Sequence, residues 1–298
     1  MKKIKYLILI LLCCGAIIFV FESYKTYFMK NTSFSSESVY LKIPSNTTKS
    51  QLLDSLSNYL IDLRTFEKAA NKKEYLLNIK AGRFLIKKDY SNNEIINSLR
   101  SNNIPVQVTF NNIETLNKLA GTISKKIEAD SASIVMAFNE IKFLNELNLN
   151  EDSVFSLFIP NTYEFFWNTD AIGFRERVVK EFDNFWNDNR VEKVKKINLN
   201  PIEAMVLASI VQKETPKVDE RPTIAGVYLN RLRKNMKLQA DPTVVYSIKQ
   251  KHGFDKVIRR VLYKDLRLKS KYNTDYVKGL PPGPIVTPDI SSIESVIN

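Results

Sequence analysis

The stretch from Asn200 to Thr243 decides the fold, and it reads NPIEAMVLASIVQKETPKVDERPTIAGVYLNRLRKNMKLQADPT. Asn200 suits an N-cap, Pro201 suits the first helical position, and Glu203 completes an Asn-x-x-Glu capping box. Apolar and small side chains then recur at helical spacing at Ile202, Met205, Val206, Ser209 and Ile210. This spacing predicts a helix with a mostly apolar, buried face.

Glu214 falls one turn beyond Ile210 on the same predicted face, just before Pro216 ends the helix. A carboxylate that continues a buried stripe is costly to ionise, so we expect burial to raise the pKa of Glu214. A raised pKa suits a general acid. The commoner alternative for a lone Glu at a helix end is a solvated side chain or a member of an ion pair.

A second helical pattern begins near Pro222, and Asn235 suits its end. Its predicted apolar face consists of Ile224, Val227, Tyr228 and Leu232. The segment 236–240, which follows this helix, is predicted to be extended. Asp241 then has the pattern of a new N-cap, with Pro242 at the first position of a further helix. Glu220-Arg221 and Asn230-Arg231 also fit ordinary surface polar pairs, which contribute little to stability.

The chain resembles a known family in several ordered blocks. They are SIVQKET at 209–215, ER at 220–221, AGVYLNRL at 225–232, MKLQADPTVVY at 236–246 and YNTDYVKGLPPGPI at 272–285. These blocks resemble the signatures of the YceG-like family, the membrane-anchored endolytic murein transglycosylases known as MltG. The resemblance covers most of the chain and is strongest from about Leu199 onward.

The resemblance implies a peptidoglycan lytic transglycosylase with one catalytic carboxylate and no cofactor or metal. Glu214 matches the second acidic position of the family's Glu-Lys-Glu-Thr motif, while Gln212 replaces the first. Such an enzyme cleaves the bond between N-acetylmuramic acid (MurNAc) and N-acetylglucosamine (GlcNAc) and leaves a 1,6-anhydroMurNAc end. Ordinary glycosidases use two carboxylates instead.

The resemblance also implies the other site residues. The expected substrate-binding residues are Asn230, Gln239, Asp241, Thr243, Tyr246, Tyr272 and Asn273, and the expected supporting residues are Glu220, Arg221 and Arg231. Asp241 is the second carboxylate to watch, because a hydrolytic mechanism would return if it lay opposite Glu214. Its predicted N-cap position favours a structural role. The turn 279–283 is expected to form the far wall of the cleft. Its prolines and glycines are expected to fix the course of the backbone rather than contact the substrate.

The chain departs from the family pattern in two places, and the first of them, the early stop, favours a runner-up function that the intact Glu214, Gln239 and Asp241 oppose. The chain stops at Asn298, where family members usually continue, so we expect a shortened C-terminus. Asp275 stands where the family's Tyr-Asn-Thr-Tyr motif has its last tyrosine. The alternative is a catalytically impaired wall-binding or synthase-scaffolding protein of the same fold.

The net charge of +12 indicates an anionic partner. Peptidoglycan stem carboxylates and anionic lipid are favoured over nucleic acid, because no nucleic-acid motif accompanies the spread-out basic residues. The sequence also lacks a nucleotide-binding glycine loop, a GxSxG elbow and a Cys/His metal constellation. Its one histidine, His252, is predicted to be a solvated loop residue. Peptidoglycan synthases as partners are implied by the resemblance alone.

The N-terminus predicts a single-pass anchor over residues 1–24. Tyr6 to Phe21 contains no charge and follows Lys2, Lys3 and Lys5, which favours a cytoplasmic N-terminus. The catalytic part is then expected outside the cytoplasmic (inner) membrane. A cleaved signal peptide is the rival, but no convincing small-x-small cleavage site follows Phe21. Cys13 and Cys14 lie within the run, so the exported part is predicted to have no disulfide.

The fold class predicted is α+β, with this anchor followed by four further regions. They are a tether at 25–38, a LysM-like βααβ domain at 39–105, a central linking region at 106–196 and a catalytic core at 197–298. In the LysM-like domain, Ser91 and Glu94 predict a capping box at the start of a helix. In the central region, helical patterns predict single helices at about 113–127, 131–147 and 171–196. LysM folds imply glycan binding, and a spacer role for this domain is equally open. In the central region, the aromatic segment FIPNTYEFFWNTD at 158–170 predicts core packing more often than sugar stacking, with Tyr163 as a possible subsite residue.

Overall fold

The computed structural model describes residues 2–101 and 103–298. The chain divides into two compact units. The first comprises Met1–Val106 with Phe165–Asn168, and the second comprises Gln107–Glu164 with Thr169–Asn298. Helices and strands occur in both units, so the fold is mixed α+β, as predicted.

The first helix, α1, runs from Lys2 to Tyr27 and is longer than the uncharged run that predicted it. Its segment Ile4–Tyr27 has a mean hydropathy of 2.7 and no buried side chains across its most apolar window. Since a helix rises 1.5 Å per residue, 24 residues exceed the thickness of a bilayer's hydrocarbon core. In the part of the chain that the structure describes, α1 is the one helix long and apolar enough to cross a membrane.

The segment after α1 differs from the predicted tether, because it is hydrogen-bonded into the first unit. The Asn31 side chain accepts a bond from the Asp62 N–H (2.7 Å) and donates to the Asn92 side chain (2.6 Å). The Asn92 amide in turn donates to the carbonyl of Thr26 at 2.9 Å. All three of Thr26, Asn31 and Asn92 are buried. A polar flexible linker has no such buried partners, so α1 continues directly into the folded unit.

The first unit is built on two antiparallel strands, β1 (Ser38–Ile43) and β2 (Gly82–Lys87). Two helices connect the strands and one follows them: α2 (Lys49–Ser57), α3 (Leu63–Lys72) and α4 (Asn92–Arg100). The predicted capping box of α4 is present, with the Ser91 N–H donating to Glu94 at 2.8 Å. The inner faces of strands and helices form one core: Leu41, Ile43, Leu52, Leu56, Phe66, Phe84, Ile86, Ile95, Ile96 and Leu99.

The second unit begins with an aromatic core beside a further two-stranded sheet, formed by β3 (Val106–Phe110) and β4 (Asn161–Phe165). Tyr163 stacks on Phe110 with ring centroids 5.5 Å apart, and its hydroxyl donates to the Ile159 carbonyl at 2.7 Å. Burial raises the pKa of Tyr163 to about 12. Tyr163 is therefore a core residue, and its role as a sugar subsite is not supported.

This part of the second unit contains the helices α5 (Leu116–Ile123), α6 (Ser131–Phe138), α7 (Ile141–Glu146), α8 (Ala171–Phe185) and α9 (Asp188–Lys196). The single helices predicted at 131–147 and 171–196 are each divided in two. The second break has a clear cause, since the Asn187 side chain accepts a bond from the Arg190 N–H and caps a new helix.

Four helices form the remainder of the second unit: α10 (Pro201–Glu214), α11 (Arg221–Arg233), α12 (Asp241–His252) and α13 (Ile290–Ile297). The capping box of α10 is confirmed, with reciprocal 2.9 Å bonds between Asn200 and Glu203. Every residue from Ala204 to Val211 is buried, because α11, α12 and α13 all pack on α10. The sequence predicted one buried face, whereas the structure buries all faces of α10 over these residues, because α10 is the central helix of this group.

Candidate functional site

Glu214 is the last residue of α10 and its side chain is exposed. The expectation that Glu214 is buried is therefore wrong, because the last turn of the helix leaves the core. The Tyr228 hydroxyl, on α11, donates a hydrogen bond to Glu214 Oε2 at 2.9 Å. Burial raises the pKa of Tyr228, and the charge of Glu214 raises it further. Tyr228 thus stays a hydrogen-bond donor that holds one carboxylate oxygen and leaves the other open.

This carboxylate lies in a cleft of about 430 Å³ within the second unit. The lining residues come from α10, α12 and three connecting segments: Glu114, Lys213, Glu214, Asp241, Pro242, Val245, Tyr246, Lys249, Ile258, Arg259, Arg260, Val261 and Ile285. Acidic, basic and apolar groups share one concave surface, a typical arrangement for a site that orients a polar ligand.

Asp241 lines the same cleft and is exposed. The prediction that Asp241 is an N-cap is wrong, because Ala240 occupies that position and Asp241 is already the first residue of α12. Its carboxylate makes no capping bond and remains free to face the cleft. The charge of Asp241 also raises the pKa of Tyr228, so the charges of both carboxylates favour the protonated form of the same hydroxyl.

Basic groups form the other charged part of the lining. Lys249 makes an ion pair with Glu114 at 2.6 Å, and both side chains are mostly buried. Desolvation lowers the pKa of Lys213, Glu114 opposes this effect, and Lys249 adds to it. Arg259 and Arg260 are exposed, and neither makes an ion pair or side-chain hydrogen bond within residues 2–101 and 103–298.

The loop before α12 is fixed by a network with the 272–275 segment. Gln239 is exposed and has φ of +51°, a left-handed conformation that is strained for a non-glycine residue. Its N–H donates to the Thr274 carbonyl at 3.2 Å. Thr243 donates to the Ala240 carbonyl at 2.7 Å and shares a 2.8 Å bond with the Thr274 hydroxyl. Thr243 is completely buried, which does not support its predicted substrate contact, and its hydroxyl bonds hold the loop.

Asp275 adjoins this network, with one carboxylate oxygen buried and without a hydrogen-bond partner among the described residues. Desolvation raises the pKa of Asp275, and the nearby charge of Asp241 raises it further. The Gln239 side chain and the charges of Lys237 and Arg231 oppose this rise in the pKa. The residue that departs from the family motif therefore lies beside two predicted site residues.

The predicted substrate-binding residues Tyr246, Tyr272 and Asn273 differ in their access to the cleft. Tyr246 lines it, and its ring lies 4.7 Å from that of Tyr272. Tyr272 is 2% exposed, and its hydroxyl donates to Asp152 at 3.1 Å. Asn273 is completely buried, and its amide donates to the carbonyls of Leu266 (3.1 Å) and Leu268 (2.8 Å). Burial is at odds with direct substrate contact by Tyr272 and Asn273, which instead shape the wall behind Tyr246.

The 279–285 turn lies against the carboxyl half of α10. The Ile285 N–H donates to the buried Ser209 hydroxyl at 3.0 Å, and Ile285 itself lines the cleft. Gly283 packs so closely on the Asp152 carbonyl that an added Cβ would lie 2.1 Å from that oxygen. Glycine is required at this position because the backbones approach without room for a side chain.

The three predicted supporting residues all form structural bonds. Glu220 accepts from the Thr215 hydroxyl at 2.8 Å and so closes the loop after α10. Arg221 is 5% exposed and binds both carboxylate oxygens of Asp289, at 2.8 and 2.9 Å. Arg231 donates to the Leu238 carbonyl.

Two further amides flank this framework. The Gln212 side chain accepts from the Asp289 N–H, which ties α10 to the start of α13. Asn230 is exposed, accepts from Arg233 at 2.6 Å, and is not part of the cleft lining. The predicted substrate contact of Asn230 is therefore not supported by its position.

The structure adds residues that the sequence patterns did not single out for the site. They are Tyr228 as the partner of Glu214, and Glu114, Lys213, Lys249, Arg259 and Arg260 as charged lining. Helical spacing placed Tyr228 on an apolar face, and no local pattern links Glu114 to Lys249. No group of three His, Cys, Asp or Glu side chains suited to a metal occurs among the residues described.

Comparison with known proteins shows the family of this chain. The sequence profile of the YceG-like family matches residues 41–298, which is most of the chain. The chain belongs to the YceG-like family. The resemblance drawn from the sequence blocks is thereby confirmed.

Related proteins include the endolytic murein transglycosylase of Bacillus subtilis strain 168, which is 28% identical over 286 residues. That match covers 89% of this chain and 76% of the relative. The endolytic murein transglycosylase of Streptococcus pneumoniae strain D39 is 37% identical over 105 residues, covering 35% of this chain and 19% of the relative. The crystal structure of a yceG-like protein from Listeria monocytogenes superimposes with a TM-score of 0.57 at 24% identity, covering 88% of this chain and 90% of that one. It shares the fold.

Proposed function

We propose that this protein is a membrane-anchored endolytic lytic transglycosylase that cleaves peptidoglycan. Membership of the YceG-like family and relatives named endolytic murein transglycosylases support this function. The single observation that carries the proposal is the Glu214 carboxylate, exposed in a cleft with one oxygen held by Tyr228. A carboxyl group fixed by one bond and open at its other oxygen is suited to proton transfer.

In the first step, protonated Glu214 donates its proton to the oxygen that joins MurNAc C1 to GlcNAc. The C1–O bond breaks, the GlcNAc residue leaves with a free 4-hydroxyl, and positive charge develops at C1. The resulting Glu214 carboxylate is negative and stabilises that charge across the cleft. Tyr228 keeps the carboxylate in position because its buried hydroxyl remains protonated and continues to donate.

In the second step, the Glu214 carboxylate removes the proton from the C6 hydroxyl of the same MurNAc. The C6 oxygen attacks C1 and closes the 1,6-anhydro ring, which returns Glu214 to its protonated form. The nucleophile belongs to the sugar that carries C1, so the attack is intramolecular. No water enters the product, and no second carboxylate is required to activate one.

Asp241 supports a second candidate, hydrolysis of the same bond. Its carboxylate is exposed in the cleft and is not used as a helix cap. In that mechanism Asp241 activates a water that attacks C1, and the product has a reducing MurNAc end. The two candidates share Glu214 as acid and differ in the atom that replaces the leaving group.

We infer that α1 anchors the protein in the cytoplasmic membrane, with its N-terminus inside and both folded units outside. The length and hydropathy of Ile4–Tyr27 support a span, and the preceding lysines support this orientation. The β1-α2-α3-β2 order supports a LysM-like role for the first unit in holding glycan strands. Synthase partners rest on the family resemblance alone.

The decisive experiment incubates the full-length protein in neutral detergent with purified peptidoglycan, beside the Glu214→Gln variant. Mass spectrometry distinguishes the products, because anhydroMurNAc ends are one water lighter than reducing ends. We expect anhydro ends from the wild type and none from Glu214→Gln. An Asp241→Asn variant is the matched control for a carboxylate of the same cleft.

Reducing ends that disappear with Asp241→Asn would replace the transglycosylase by the hydrolase. Anhydro ends that persist in Glu214→Gln would refute Glu214 as the acid. Absence of cleavage by folded wild-type protein would refute both catalytic candidates and support the scaffolding role.

A further inference from the structure

The strongest charge concentration in the chain borders the cleft. Residues 249–271 contain nine Lys or Arg and two Asp, a net charge of +7 within a chain of net charge +12. This segment supplies five of the cleft's lining residues, including Arg259 and Arg260. Positive potential is therefore concentrated where a substrate would enter.

These cations differ in whether the protein itself neutralises them. Lys249 is paired with Glu114, and Lys271 is paired with Asp152. Arg259 and Arg260 have no such partner within the described residues, although both line the cleft. Two adjacent unpaired guanidiniums are suited to bind carboxylates, because each presents a planar set of N–H donors.

Apolar side chains lie between the charged groups. Val245, Ile258, Val261 and Ile285 contribute to the same lining as Glu214 and Arg259. Such a surface fits a ligand that combines methyl or ring C–H groups with carboxylates. A neutral N-acetylglucosamine chain would leave both guanidiniums unmatched.

We propose that Arg259 and Arg260 recognise the carboxylates carried by the lactyl-linked substituent of MurNAc. This inference rests on the proposed function and adds a substrate requirement: the cleft selects glycan whose muramic acid bears an anionic substituent. The carboxylates have two sources. They belong either to the attached stem peptide or, after peptide removal, to the lactyl group itself.

The test measures binding to the full-length Glu214→Gln protein in neutral detergent, so that no turnover is needed. Three soluble glycans of equal length serve as probes: peptide-bearing strands, strands stripped of peptide by an amidase, and an N-acetylglucosamine oligosaccharide without carboxylates. The additional variant Arg259→Gln/Arg260→Gln removes both guanidiniums. Its matched control, Lys256→Gln/Lys264→Gln, removes two exposed charges of the same segment that do not line the cleft.

We expect an anionic glycan to bind about tenfold more tightly than the neutral oligosaccharide, a difference of about 1.4 kcal/mol. The arginine variant should abolish this preference and the lysine variant should retain it. The preference should also decrease with added salt, since exposed charge pairs are screened. A preference limited to peptide-bearing strands identifies the peptide carboxylates, and an equal preference for stripped strands identifies the lactyl carboxylate.

Equal binding of all three glycans overturns the inference, as does a preference that survives in the arginine variant or is lost equally in the lysine variant. These outcomes are independent of the cleavage assay. A protein that prefers anionic glycan without cutting it would retain the subsite and lose the proposed catalysis. A protein that cuts but binds neutral and anionic glycan alike would retain the catalysis and lose the subsite.

Discussion

Replacing Gly283 with alanine should destabilise the second unit, because the new methyl group has no space. An ideal Cβ at this position lies 2.1 Å from the Asp152 carbonyl oxygen and 3.0 Å from the Tyr272 hydroxyl. Close carbon–oxygen contacts in proteins are roughly 3.3 Å or longer, so one backbone must move by about 1 Å. That movement disturbs the bond from the Ile285 N–H to the buried Ser209 hydroxyl.

The magnitude follows from two contributions. Overpacking a close contact costs about 2 kcal/mol, and weakening one buried hydrogen bond adds about 1 kcal/mol. A loss of about 3 kcal/mol lowers the melting temperature of a unit of this size by roughly 6–12 °C. Trp186 is buried in the second unit, so its fluorescence during thermal unfolding of the full-length protein measures the change.

Gly121→Ala is the matched control in the same unit. Gly121 lies within α5, and an added Cβ there meets nothing within 4 Å. Alanine in a helix interior should stabilise by about 0.5–1 kcal/mol. The reasoning is refuted if Gly283→Ala melts at the wild-type temperature, or if both variants are destabilised to the same extent.

Two further predictions concern hydrogen bonds in the second unit. Tyr228→Phe removes the donor to Glu214 and should lower the cleavage rate tenfold to a hundredfold, since a bond to a charged group contributes about 1.5–3 kcal/mol. The control Tyr163→Phe alters a buried tyrosine that does not line the cleft and should leave the rate unchanged. Equal rates for both variants would contradict the assignment. The second prediction concerns Asp289. Desolvation raises the pKa of this carboxyl group, but hydrogen bonds from Ser292, Ser291 and Arg221 outweigh desolvation and hold the pKa below its usual value. Asp289 therefore stabilises the protein above the unfolded-state pKa of about 4, and this stability is lost as the pH falls through the lower folded-state value. Asp289→Asn should lower the free energy of unfolding by about 2 kcal/mol at neutral pH, and the stability of the variant should fall less steeply on acidification than that of the wild type. Urea titrations at several pH values measure both effects. An equally steep loss of stability in the variant would contradict the prediction.

Elements governed by neighbouring residues were predictable from the sequence. The capping boxes at Asn200 and Ser91 were predicted at the correct residues, because each consists of bonds between positions three apart. Asn235 ends its helix with φ of +52°, as its residue type suggested. The helix α13 was not predicted, although Asp289 before Ile290, Ile293 and Val296 is a local signal of the same kind.

Burial and partnership were less predictable, because they depend on segments far apart in the chain. Helical spacing indicated a buried Glu214, but spacing cannot show where the last turn of a helix leaves the core. Thr243 and Asn273 have residue types that suit sugar binding, yet tertiary packing uses their polar atoms to hold loops. Asp241 has the sequence pattern of an N-cap, but the helix begins one residue earlier than that pattern predicts.

The sequence by itself determined the family, the apolar N-terminal helix, the limits of α10 and the position of Glu214, because each depends on residue type at short spacing. Only the tertiary structure decided which groups surround that carboxylate. Lys249 and Arg259 line the cleft that holds Glu214, and Tyr228 donates to Glu214 itself, because of the packing of α10, α11 and α12 and the course of the loop after them. The pairing of Lys249 with Glu114, 135 residues apart, results from that packing alone. Long-range contacts of this kind leave no periodic trace in a single sequence.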